Sequence, residues 1–235
     1  MTSDVATGPS SAPQNEPSRE ALLSFMLGIG GYLGIQVAAL ALIVVVIGAV
    51  GSLSDMQTNV VASVGTGLGA VLVAFLYFEN ARHDASFLDL DRPGLRDVGY
   101  VVLGVVVLTG VLFGISILAN ALGIGLSNHS LAETAESADP AVVLLLVPAS
   151  LLFVGPGEEL IFRNLVQKRL AESFSTWGAI GLASVTFATI HLPAYATADP
   201  PQIFASLLVV FSLSILLGWL YARTDKLFVP AATHG

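Results

Sequence analysis

The chain has 235 residues, of which 54% are hydrophobic and 11% are charged, and its mean hydropathy is +0.82. This composition excludes an ordinary soluble domain and is typical of a protein that crosses a membrane several times. The net charge of −8 does not suggest a nucleic-acid partner, because a phosphate-binding surface needs the opposite sign. The absence of cysteine excludes disulfides, thiolate metal sites and a cysteine nucleophile.

The distribution of apolar residues predicts an all-α, polytopic transmembrane helical bundle with six full spans and the start of a seventh. Residues 1–19 are rich in Ser, Pro, Gln and Asn, and they indicate a disordered cytosolic tail. Later stretches are long enough to cross about 30 Å of hydrocarbon. The six predicted spans are 21–50, 59–78, 98–126, 141–166, 177–195 and 202–221, and a seventh begins at residue 227.

Basic residues fall in alternate connections between these spans, which predicts a multi-pass protein of the cell membrane with a cytosolic N-terminus. They precede the first span and follow the second, fourth and sixth. They are Arg19, Arg82, Arg92, Arg96, Lys168, Arg169, Arg223 and Lys226. Arg163 alone lies inside a predicted span, and membrane lipid is a predicted partner of the whole chain.

Small residues spaced four apart predict close helix packing in lipid. These pairs are Gly30/Gly34, Gly65/Gly69 and Gly110/Gly114. No linker divides the chain, so residues 20–140 form N-terminal transmembrane helices and residues 141–235 form a C-terminal transmembrane region.

The fourth span carries two adjacent glutamates, Glu158 and Glu159, followed by Arg163. Placing charged side chains inside a membrane span costs free energy, and such residues usually have a function. Residues four apart share a helix face, whereas consecutive residues point about 100° apart. We therefore predict that Glu159 pairs with Arg163 in a structural role, which leaves Glu158 available for chemistry.

Two histidines, His191 and His234, can reach the level of Glu158. At 1.5 Å per residue, Glu158 lies roughly 15 Å from the nearest cytosolic boundary, His191 roughly 21 Å and His234 roughly 12 Å. A carboxylate and two imidazoles at one level suit water activation. Glu158 would take a proton from water, while the histidines hold a metal ion or donate hydrogen bonds to a developing oxyanion.

These residues occur in an ordered set that resembles the CPBP family of intramembrane proteases. The set is Glu158-Glu159-x-x-x-Arg163, then Phe187-x-x-x-His191, then His234 in a later helix. The family includes CAAX-prenyl-protease and bacteriocin-processing relatives and is also called the Abi family. The resemblance covers residues 141–235.

The resemblance implies an intramembrane endopeptidase that cuts a peptide or protein substrate, of the membrane-associated or prenylated type, in a cavity open to the cytosol. Glu158 would activate water, Glu159 and Arg163 would belong to the same motif, and His191 and His234 would complete the site. Glu158, His191 and His234 also suit a divalent metal such as zinc. A zinc metalloprotease and a glutamate-dependent protease without a catalytic metal therefore both remain open.

The last motif of the family is a histidine followed four residues later by Asn or Asp, whereas only Gly235 follows His234. From this departure we expect a fragment of a longer protein in which the catalytic region is C-terminally incomplete, or else weak or absent proteolysis.

Two other functions remain as alternatives. A proton- or cation-coupled transporter could use Glu158 and His191 as a relay, although the intramembrane charges lie only in the C-terminal half. A non-catalytic membrane scaffold or immunity-type protein could keep the family fold, and the missing terminal residue is its best support.

Overall fold

A computed structural model describes residues 17–80, 85–124, 126 and 140–235, and all regular structure in these ranges is helical. Most of the predicted tail, 1–19, lies outside the described residues, and a short 3₁₀ turn, Ala85–Phe87, follows the second helix. The helices are α1 (Pro17–Val50), α2 (Asp55–Asn80), α3 (Leu95–Ala121), α4 (residues 140–171), α5 (Thr176–Ile190), α6 (Leu192–Tyr195), α7 (Pro200–Thr224) and α8 (Phe228–His234).

Five of the described helices, namely α1, α2, α3, α4 and α7, are long and apolar enough to cross a membrane. The prediction of a polytopic helical bundle is therefore confirmed. The predicted span 177–195 is shorter than expected, because α5 has 15 residues and ends at Ile190. A helix of that length covers about 22 Å, less than the hydrocarbon thickness. His191 ends the helix, and Pro193 lies in the first turn of α6.

The fourth helix, α4, alternates between α-helical and π-helical turns. Its π segments are Ser150–Val154 and Leu160–Gln167, and they flank the α-helical turn Gly155–Glu159. Within them, N–H groups reach carbonyls five residues back, as Lys168 does to Arg163. Such turns are rare and often occur at functional sites. The two glutamates thus lie in the turn between them.

The second π segment of α4 lies at the centre of the bundle, where every residue from 161 to 167 is buried. Three of these residues are polar and bond to α7: Arg163 Nη2, Asn164 Nδ2 and Gln167 Nε2 donate to Ser214 Oγ, Tyr221 Oη and Gly218 O, each over 2.9 Å. The three partners are spaced three and four apart, so they share one face of α7. This polar face holds α7 in register with α4.

The close approach predicted for one glycine pair is present between α1 and α2. A Cβ atom added to Gly65 would lie 2.5 Å from Ala39 Cα, and one added to Gly69 would lie 3.0 Å from Ile35 Cα. Only glycine lets the two backbones pack this tightly. The contact between α1 and α2 is accordingly the most extensive between two helices among the described elements.

The other two glycine pairs behave differently. A Cβ atom at Gly34 would lie 2.8 Å from Val73 Cγ2, whereas one at Gly30 would meet nothing within 4 Å. Gly110 and Gly114 also face open space with respect to the described residues. The prediction of close packing is therefore wrong for the pair in α3, because spacing alone does not say which face of a helix meets a neighbour.

Candidate active site

The two adjacent glutamates have different surroundings. Glu159 Oε2 accepts a hydrogen bond from Arg163 Nε over 2.7 Å, and neither side chain of this ion pair is exposed. Glu158 points elsewhere and keeps 12% of its side chain exposed. The structure thus shows the predicted pair, and it gives Glu158 the access that a reacting group needs.

Arg163 has further partners that the sequence did not indicate. Its Nη2 donates to Ser214 Oγ on α7, and its guanidinium lies 5.4 Å from the centroid of the Phe187 ring on α5. A buried cation is tolerated only where such groups replace its water. Ser214 lies in an apolar stretch where no motif distinguishes it.

His234, the last residue of α8, lies between the two glutamates. Its Nδ1 is 2.9 Å from Glu159 Oε1, and its Nε2 is 3.8 Å from Glu158 Oε2. The carboxylate of Glu159 accepts, so Nδ1 donates, and when the ring is neutral Nε2 is an acceptor. The predicted meeting of His234 with Glu158 is present, but Glu159 also holds the histidine.

A glycine in α4 allows α8 to come this close. A Cβ atom at Gly155 would lie 2.8 Å from both Ala231 O and the backbone nitrogen of Gly235. Any larger residue would meet backbone atoms that cannot rotate away. Gly155 therefore sets the spacing between α8 and the turn of α4 that carries the glutamates.

His191 also contacts the Phe187 ring. The ring centroids of Phe187 and His191 are 4.6 Å apart, and those of Phe187 and His234 are 5.7 Å apart. His191 Nδ1 lies 2.8 Å from Phe187 O, and because a carbonyl only accepts, Nδ1 is the donor. Phe187 thus contacts both predicted histidines and the buried Arg163, which makes it the central apolar side chain of the site.

Asp89, in the connection between α2 and α3, ties several elements of the site together. Its Oδ2 accepts from the Tyr221 hydroxyl and from Asn164 Nδ2, the latter over 3.3 Å. Its Oδ1 pairs with Lys168 Nζ at 2.8 Å, and its carbonyl accepts from Leu227 N–H over 2.9 Å. One residue therefore links α4, α7 and the start of α8. No sequence motif distinguished it.

The metal-ligand set suggested by the sequence does not form a cluster in this arrangement. Among the described residues, no group of three or more His, Asp or Glu side chains could hold a metal ion. The Nδ1 atom of His234 is engaged by Glu159, and that of His191 lies on a backbone carbonyl. Contacts of Nδ1 with a carboxylate or a backbone carbonyl also orient metal-ligating histidines, so they do not argue against a metal.

Residues 140–235 match the protein family described as type II CAAX prenyl endopeptidase Rce1-like. The matched region contains all five predicted site residues, and it confirms the resemblance to a CPBP intramembrane protease. No curated protein matches the chain, and no solved structure does.

Proposed function

We propose that this chain, whose residues 140–235 match the family described as type II CAAX prenyl endopeptidase Rce1-like, hydrolyses peptide bonds with Glu158 as the base that activates water. The observation that carries the proposal is the position of His234. One imidazole reaches both glutamates, and it binds Glu159 directly while standing 3.8 Å from Glu158.

The proposed place of the attacking water is beside Glu158 Oε2 and His234 Nε2, within hydrogen-bond reach of both. A distance of 3.8 Å is too long for a direct hydrogen bond, and a water can bridge two such groups. With Glu158 ionised and His234 neutral, both atoms are acceptors, so the water donates one hydrogen to each. Glu158 takes a proton as the oxygen attacks the peptide carbonyl carbon.

The remaining residues serve the later steps. His191, when protonated, keeps its Nδ1 bond to Phe187 O and donates from Nε2 to the oxyanion. When the C–N bond breaks, Glu158 returns its proton to the leaving amine. Glu159 and Arg163 hold His234 in place without touching substrate.

A divalent metal such as zinc remains a prediction from the sequence, and the mechanism above uses protein groups alone. The proposed substrate is a membrane-associated peptide of the prenylated type, supported by the description of the matching family.

We also propose a cytosolic N-terminus, supported by the distribution of basic residues.

The experiment that tests the function uses the full chain in proteoliposomes with a fluorogenic peptide, supplied with and without a C-terminal isoprenoid group. Glu158→Gln, His191→Ala and His234→Ala are each expected to lower the cleavage rate by about 10²-fold or more. Glu79→Gln, at the exposed end of α2, is the matched control and is expected to cleave normally. Full cleavage by Glu158→Gln would overturn the proposal, and cleavage of both peptides at equal rates would overturn the substrate class alone.

A further inference from the structure

A polar cleft opens where α3 begins and α7 ends, away from the proposed active site. It has a volume of about 350 Å³ and is lined by the first turn of α3, the last turn of α7 and the turn that leads to α8. Many exposed side chains of the described helices are large and apolar, whereas the lining of this cleft is largely polar.

The cleft carries an excess of positive charge. Its one carboxylate, Asp97, is neutralised by Lys226 Nζ at 2.6 Å. Two arginines remain: Arg96 Nη2 donates to the Tyr100 hydroxyl over 3.3 Å, and Arg223 lines the same cleft. Within the described part of the chain, neither arginine pairs with a carboxylate. Two guanidinium groups therefore converge in a chain whose net charge is −8.

The cleft lies at the depth of lipid headgroups. The helices α3 and α7 are both long enough to span the membrane, and the cleft is at the end of each. Leu95, next to Arg96, is 92% exposed, so an apolar side chain borders the charged one. The Tyr100 and Trp219 rings, with centroids 6.4 Å apart, stand beside them, as aromatic residues do at membrane interfaces.

We infer that this cleft binds the phosphate of an anionic phospholipid. Guanidinium groups bind phosphate in a bidentate manner, and basic residues at this depth attract anionic lipid. Arg96 and Arg223 hold the phosphate, and the acyl chains lie along Leu95 and Trp219. The inference does not depend on proteolysis, because no residue of the cleft belongs to the proposed active site.

The test uses the fluorescence of Trp219, which lies next to the cleft. The chain has two tryptophans, and Trp177→Phe, at an exposed position, leaves Trp219 alone. The full chain is placed in phosphatidylcholine vesicles that contain either brominated phosphatidylglycerol or brominated phosphatidylcholine. We expect the anionic lipid to quench Trp219 with roughly tenfold higher relative affinity. Equal quenching by the two lipids would overturn the inference.

Charge variants then test the two arginines. Arg96→Gln/Arg223→Gln is expected to lose the preference for the anionic lipid, whereas Arg96→Lys/Arg223→Lys, which keeps the charge but not the bidentate geometry, is expected to keep part of it. Arg92→Gln removes an arginine that does not line the cleft and is expected to change the preference less than twofold. Quenching by brominated phosphatidylcholine verifies membrane insertion of every variant. If the glutamine double variant kept the full preference for the anionic lipid, the assignment of the two arginines as its binding site would be overturned.

A final arm separates a lipid from a small anion. Inorganic phosphate, added at constant ionic strength, is expected to leave the lipid preference unchanged, because it lacks acyl chains that contact Leu95 and Trp219. Loss of the lipid preference at millimolar phosphate would show that the cleft binds soluble anions, and it would overturn the inference of a phospholipid site.

Discussion

The imidazole of His234 donates a hydrogen bond from Nδ1 to Oε1 of Glu159, with 2.9 Å between the two atoms. This bond joins a helix of seven residues, α8, to the central helix α4. It also fixes which ring nitrogen faces Glu158. Glu159 is therefore a positioning residue in the proposed mechanism, as well as the partner of Arg163.

Variants of the two glutamates should have different effects: one should lower stability, and the other should lower activity alone. Glu159→Gln removes the charge that neutralises the fully buried Arg163, so we expect it to lower the free energy of unfolding by about 3 kcal/mol or more. Glu158→Gln keeps the shape of a partly exposed side chain and should change it by less than about 1 kcal/mol while abolishing cleavage. Denaturant unfolding in detergent micelles, paired with the cleavage assay, measures both. Equal stability of the two variants would contradict the assigned roles.

The sequence predicts the local parts of this site but not the contacts between helices. The pairing of Glu159 with Arg163 follows from helical spacing, because both residues lie on one helix. The bonds of Arg163 to Ser214, and of Glu159 to His234, depend on how separate helices are rotated against each other. Hydropathy carries no information about that rotation.

The same limit applies to the fold. Hydropathy identified the apolar stretches, and five of them are helices long enough to span. It could not show that His191 ends α5 early, since the residues on both sides of that break are apolar. Nor could glycine spacing show that Gly65 meets α1 while Gly110 meets open space.

The spacing between α8 and α4 offers a test with a matched control. Gly155→Ala would place a methyl group 2.8 Å from Ala231 O, so α8 must move outward and carry His234 with it. We expect cleavage to fall by at least tenfold, since a shift of about 1 Å in a catalytic group can cost 10²-fold. Gly110→Ala, which meets open space in α3, should retain full activity. Similar rates for the two variants would show that α8 is not held at this distance.

Asp89 lies outside the family match, residues 140–235, but its bonds to α4 and α7 predict that replacing it lowers activity. Asp89→Ala removes acceptors for Tyr221, Asn164 and Lys168, so we expect about 2–4 kcal/mol less stability and a lower cleavage rate. Asp91→Ala, an exposed neighbour in the same connection, is the control and should behave like the unaltered chain. Asp89→Asn keeps one acceptor and should fall between the two. An Asp89→Ala protein of full stability would show that these bonds contribute nothing.

A double-mutant cycle measures the bond between Glu159 and His234 directly. Because the two side chains touch, we expect the stability changes of Glu159→Gln and His234→Ala to be non-additive by about 1 kcal/mol or more. A second cycle, between Asp91→Ala and His234→Ala, should be additive within about 0.5 kcal/mol, since Asp91 is exposed in the α2–α3 connection. If the first cycle were also additive, His234 would gain nothing from Glu159, and the orientation of its Nε2 toward Glu158 would need another cause.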